Sequence, residues 1–160
     1  MAFGPLIDTP LLLVPFVLIV KYKNFFVNLI VKIRIPKIIL ALLVSVPLII
    51  FEEHINCGAY GCANVFIPPT IWFCLIVVLI SLFLVRIIRI KKITSQIIFL
   101  GALGALWELF LGVARVEFQQ LLAKNPIVFI FMIFWVGLSY AFILFLPLLI
   151  YNRSNILRNQ

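Results

Sequence analysis

The sequence predicts an all-α, polytopic integral membrane helical bundle with about five transmembrane helices and one basic amphipathic helix at the membrane surface. Three observations lead there. Hydrophobic residues make up 66% of the 160 residues and charged residues only 11%, with a mean hydropathy of +1.29. A soluble fold of this length has too little interior to hide so much apolar surface. The apolar residues come in runs close to the ~20 that a helix needs to cross the hydrocarbon core. The basic residues fall between those runs and concentrate in alternate connections, which is the pattern that membrane topology imposes. With no repeat and no linker, residues 1–160 read as a single transmembrane domain, so any function sits in or beside the bilayer.

The first apolar run, residues 3–20, contains Pro5, Pro10, Pro15 and Asp8. That composition suits either a full crossing or a re-entrant or tilted segment. Its positive charges, Lys21 and Lys23, follow the apolar run instead of preceding it. This is the reverse of a cleavable signal, and the segment is expected to be retained. In residues 21–37, Lys21, Asn24, Asn28 and Lys32 recur at helical spacing, opposite Phe25, Phe26, Leu29, Ile30 and Ile33. This suits a basic amphipathic helix lying among anionic headgroups, or else an extension of a neighbouring span.

A second span is expected from residue 35 or 38 to residue 51, with Pro47 tolerated near its outer end. Residues 52–69 contain Gly58, Gly61, Pro68 and Pro69 but no lysine or arginine, which reads as a loop on the side opposite the basic connections. A third span, residues 70–85, is followed by Arg86, Arg89, Lys91 and Lys92 and at once by the next apolar stretch. The third and fourth helices are therefore expected to pack as hairpin neighbours. The fourth begins near Ile93, fades near Ala114 and is expected to continue as an amphipathic extension to Lys124, where Pro126 stops it. The fifth covers residues 127–150 and leaves a polar tail.

One set of alternate connections holds Lys21, Lys23, Lys32, Arg34, Lys37, then Arg86, Arg89, Lys91, Lys92, then Arg153 and Arg158; the other set holds only Arg115 and Lys124. The positive-inside rule then puts the N-terminus outside and the C-terminus in the cytoplasm, in a chain assigned to the plasma (cytoplasmic) membrane. The net charge of +8 is accounted for by topology and anionic lipid headgroups, so no nucleic-acid partner is expected.

Polar chemistry gathers at the outer face. Glu108 stands inside the fourth span, where an ionisable group costs about 2.5 kcal/mol or more on insertion scales and usually turns inward. Gly101, Ala105, Glu108, Gly112, Arg115 and Gln119 are spaced four, three, four, three and four residues apart, one continuous helix face on which small residues admit a partner backbone. Gly137 and Ala141 repeat the small-xxx-small spacing on the fifth span and predict its close contact with the fourth. Glu52, Glu53, His54, Cys57 and Cys62 supply carboxylate, imidazole and thiolate, the ligand types zinc accepts, although C-x4-C is a weak metal signature. The alternative readings are a hydrated interfacial cluster and, on an oxidising face, a Cys57–Cys62 disulfide. Cys74 reads as a buried apolar residue, with a redox role for this third thiol near the outer face as the alternative.

No Walker A sequence, dinucleotide fingerprint, haem-attachment motif or nucleophile elbow is present, and the sequence names no cofactor. Three functions follow from these features. The first is a non-enzymatic subunit, assembly factor or scaffold that binds partner helices, other membrane subunits or further copies of itself. The second is a membrane-embedded enzyme acting on a lipid or membrane-bound substrate through Glu52, Glu53, His54, Glu108 and Arg115, with a carboxylate or metal-bound water as base and Arg115 on an anionic headgroup. The third is a small oligomeric transporter or channel using Glu108.

Overall fold

The computed structural model describes residues 4–31, 33, 35–56, 66–67, 70–112 and 115–158, with the backbone alone at 4–8, 31, 117–118, 121 and 153–158. Among the described residues all regular structure is helical: α1 (Gly4–Lys21), α2 (Lys23–Val31), α3 (Lys37–Asn56), α4 (Ile71–Ile88), α5 (Ile93–Phe110), α6 (Arg115–Lys124) and α7 (Pro126–Arg158). Four of these, α3, α4, α5 and α7, are long and apolar enough to cross a membrane, while α1 and α2 form a broken apolar pair bent by 70°. That bend falls at Tyr22 and separates the proline-containing segment from the basic one.

Local chemistry explains where the helices stop. The residue before a proline is pushed out of the helical region, and α2 ends ahead of Pro36 instead of running on to residue 37 as the spacing of polar residues suggested. Helix α4 closes on Arg89, which has φ 56° and returns its N–H to the Val85 carbonyl (3.1 Å). This left-handed cap lets the chain reverse within a few residues. At the end of α5 the Trp107 carbonyl accepts both the Leu111 N–H (2.7 Å) and the Gly112 N–H (2.8 Å). The expected extension to Lys124 is therefore a separate helix, α6. Pro126 both ends α6 and opens α7: it occupies the first helical turn, where a missing N–H costs nothing, and Asn125 Oδ1 accepts the Val128 N–H (3.2 Å).

Helix α7 is the axis of the bundle. It packs most extensively against α5 and α3 and also touches α1, α2, α4 and α6. Leu138, Phe142, Leu144 and Leu148 on α7 join Ala41 and Ile49 of α3, Val78 and Leu82 of α4, Leu100 of α5 and Leu12 of α1 in the main core. Glycine sets the α5–α7 separation, because a Cβ placed on Gly101 would lie 3.2 Å from the Gly137 carbonyl oxygen and 3.7 Å from its Cα.

Two expectations about packing are corrected. Helices α4 and α5 follow one another through a tight turn but barely touch. Helix α7 takes α5 against itself through its small residues, and α4 packs mainly on α3, leaving a cavity of about 80 Å³ between α4, α5 and Tyr140. The single face from Gly101 to Gln119 is also interrupted, since α5 ends at Phe110 and Arg115 and Gln119 belong to α6. Residues 52–56, read as the start of a loop, form the last turns of α3, and the polar tail continues α7 to Arg158.

Candidate functional site

The polar residues of α3 are distributed by helical spacing. Ser45, Ile49, Glu52 and Asn56 lie four, three and four residues apart, so they share the face turned toward the bundle. Glu52 is accordingly only 6% exposed. Its carboxylate accepts a hydrogen bond from the Asn56 side-chain amide one turn on. From α7 the buried Ser139 hydroxyl faces Glu52, yet it stands outside hydrogen-bond geometry and has no partner, as does Asn56 Oδ1.

Two further carboxylates complete the group. Glu53 accepts a hydrogen bond from the Cys74 thiol of α4 (Sγ–Oε1 3.2 Å), and Glu108 of α5 accepts one from the Tyr140 hydroxyl of α7 (3.3 Å). The charged groups acting on Glu52 are Glu53 and Glu108. The fold thus brings Glu108 of α5 into the electrostatic neighbourhood of Glu52 and Glu53 of α3, and each carboxylate is held by a hydroxyl, thiol or amide donor.

The other predicted residues stand apart. His54 Nδ1 donates to the Ile50 carbonyl of its own helix (2.7 Å). Arg115 is exposed at the start of α6, beyond the break after α5, so the shared face that would have aligned it with Glu108 does not exist. Gly112 lies in the break with its Cα against Glu108: a Cβ there would collide with the Glu108 carboxylate. Gly101 abuts Gly137, and Ala105 and Ala141 are buried. Cys57 and Cys62, and residues 58–61 that a bridge between them would enclose, lie outside the described residues. Among the described residues no three His, Cys, Asp or Glu side chains converge as a metal site.

Sequence reasoning missed Ser139 and Tyr140, and it did not assign Cys74 or Asn56 a hydrogen-bonding part. Their signal was polarity within or beside an apolar run, which in a membrane helix usually means an inward face and a partner. A second polar tie was also missed. Gln96, 1% exposed, donates to the Ile90 carbonyl (2.6 Å) and accepts from the Asn152 amide (2.7 Å), joining the start of α5 to the far part of α7.

Comparison of the chain with protein-family models, with curated proteins and with solved structures finds no match. The fold and site define an all-helical chain with four helices suited to crossing a membrane and a polar group shared by α3, α4, α5 and α7.

Proposed function

We propose that this chain is a non-enzymatic component of a membrane, a subunit, assembly factor or scaffold whose outer helix faces meet lipid and partner helices. The observation that supports it is the use made of the polar side chains. Glu53–Cys74 joins α3 to α4, Glu108–Tyr140 joins α5 to α7, and Gln96–Asn152 joins α5 to α7 again. In an apolar medium such hydrogen bonds hold helices in register, each contributing about 0.6 kcal/mol on average. Outside this frame, α4 exposes Trp72, Ile76, Ile80, Phe83 and Ile87, a broad apolar face that a bilayer or a partner helix would cover. The basic loops sit on the cytoplasmic side, with the N-terminus outside.

Solubilisation in a mild detergent followed by size-exclusion chromatography and identification of co-purifying proteins tests this reading. A stable companion or a defined homo-oligomer is expected. A solitary, monodisperse monomer that retains a measurable catalytic activity would overturn it.

One observation favours a second reading, a membrane-embedded enzyme: the buried Ser139 Oγ and Asn56 Oδ1 beside Glu52 have no hydrogen-bond partner, an arrangement able to hold a polar substrate group. Activity toward a lipid substrate that disappears in the double replacement Glu52→Ala, Glu53→Ala while the helical fold survives would favour that reading over the scaffold.

A further inference from the structure

A cleft of about 450 Å³ opens between the bent α1–α2 pair, α3 and α7, lined by apolar side chains that include Ile19, Phe26, Ile30, Leu40, Val44 and Leu146. Its size falls within the ~300–1,000 Å³ of small-molecule sites. The lining continues onto lysines by helical spacing. Lys23, Phe26 and Ile30 are three and four residues apart on α2, and Lys37, Leu40 and Val44 repeat those intervals on α3, so each lysine extends a cleft-lining face by one turn. Residues 21–37 carry five basic side chains and no acidic one. An apolar cleft with a lysine one helical turn beyond the lining on each of two helices matches an amphiphile with an apolar tail and an anionic head.

We propose that this cleft is a binding site for one anionic phospholipid, with an acyl chain along the lining from Leu40 to Leu48 and the headgroup at Lys23 and Lys37. The α1–α2 bend shapes the site: the chain changes direction by 70° there, and α1, α2, α3 and α7 all contribute to the lining of the cleft beside it. A straight continuation of α1 would offer charge for general headgroup attraction but no seat for a lipid. The inference rests on the membrane reading given above and adds to it a single, selective lipid position.

The test uses the full chain in phosphatidylcholine vesicles with chain-spin-labelled phosphatidylglycerol or phosphatidylcholine as probe, read by electron paramagnetic resonance as the motionally restricted fraction. Resistance of the protein to alkaline carbonate extraction is scored separately, so that failure of the membrane reading is distinguishable from failure of the site. A preference for phosphatidylglycerol is expected. Because one lysine near an anionic headgroup contributes about fivefold in affinity, Lys23→Gln and Lys37→Gln should each lower that preference by up to about fivefold.

Leu43→Trp, which fills the cleft from an exposed lining position, should remove the restricted component at unchanged helicity; Leu43→Phe serves if the larger side chain perturbs folding. Equal association of both lipids with the carbonate-resistant parent chain overturns the proposal. So does a preference that survives both the double lysine replacement and the cleft-filling variant. Self-association that Leu43→Trp abolishes would assign the cleft to a second copy of the chain and likewise overturn it.

Discussion

The replacement Gly104→Ala tests how tightly α5 and α7 are held. A Cβ on Gly104 would lie 2.5–2.7 Å from Cδ2, Cγ and Cδ1 of Tyr140. Cγ is fixed at the root of the side chain, so the ring cannot slide away as a flexible tip would. Either Tyr140 changes rotamer or the two helices part, and both outcomes break its hydrogen bond to Glu108 (3.3 Å). Overpacking of this kind costs about 1–3 kcal/mol, and the lost interhelical hydrogen bond adds ~0.6 kcal/mol. Alanine returns up to ~1 kcal/mol of helix propensity over glycine.

With the full propensity gain counted, the net expectation is a loss of roughly 0.6–2.6 kcal/mol. Gly137→Ala is the internal control: a Cβ there meets only the Gly101 carbonyl oxygen, at 4.0 Å, which is ordinary contact. Its effect should lie between zero and a gain of ~1 kcal/mol. Gly101→Ala, at 3.2 Å from the Gly137 carbonyl oxygen, belongs between the two. Reversible unfolding of the three variants in dodecyl maltoside micelles titrated with sodium dodecyl sulfate, followed by far-ultraviolet circular dichroism, gives the order. The reasoning is refuted if Gly104→Ala is as stable as Gly137→Ala, or if its penalty persists undiminished in a Tyr140→Ala background.

Further outcomes follow from the same contacts. Tyr140→Phe removes the donor to Glu108 and should destabilise by about 0.6 kcal/mol, with ~1.7 kcal/mol as the upper limit for such bonds; Glu108→Ala combined with it should add less than the sum of the single effects. Gln96→Leu strips a buried side chain of bonds to Ile90 and Asn152, and a loss of about 1–3 kcal/mol in the same unfolding assay is expected. Cys74→Ala should leave Glu53 without its thiol donor, whereas Cys74→Ser preserves a donor and should stay closer to the parent in stability. Reporter fusions at Gln160 should show a cytoplasmic C-terminus; an alkaline phosphatase fusion active at that position would reverse the assigned orientation.

The existence of the long helices was legible because lipid-length apolar runs need only local sequence to declare themselves, and the breaks at Pro36, Arg89 and Pro126 each coincide with a proline or a basic cluster. Glu108 was legible as a site residue for a physical reason, the cost of placing a carboxylate in an apolar helix. Its partner was not. Tyr140 lies 32 residues away, and helical spacing relates residues on one element but carries no information about the rotation of one helix against another. The same limit misled the reading of Arg115, which shares Glu108's spacing but sits past a break that the doubled hydrogen bonding at Trp107 creates.

By itself the sequence determined the all-helical class, the long apolar helices and the uneven distribution of positive charge, since hydrophobicity and charge are summed along the chain. The small residues already pointed to the contact of α5 with α7, but only the tertiary structure decided that α4 packs mainly on α3 and barely touches α5. It likewise decided that Glu108 lies near Glu52, that Cys74 and Tyr140 hold Glu53 and Glu108, and that a cleft opens beside the α1–α2 bend. Those outcomes depend on side-chain volume and close approach between distant segments, as at Gly101, where the absence of a Cβ lets the α5 backbone approach that of α7 at Gly137.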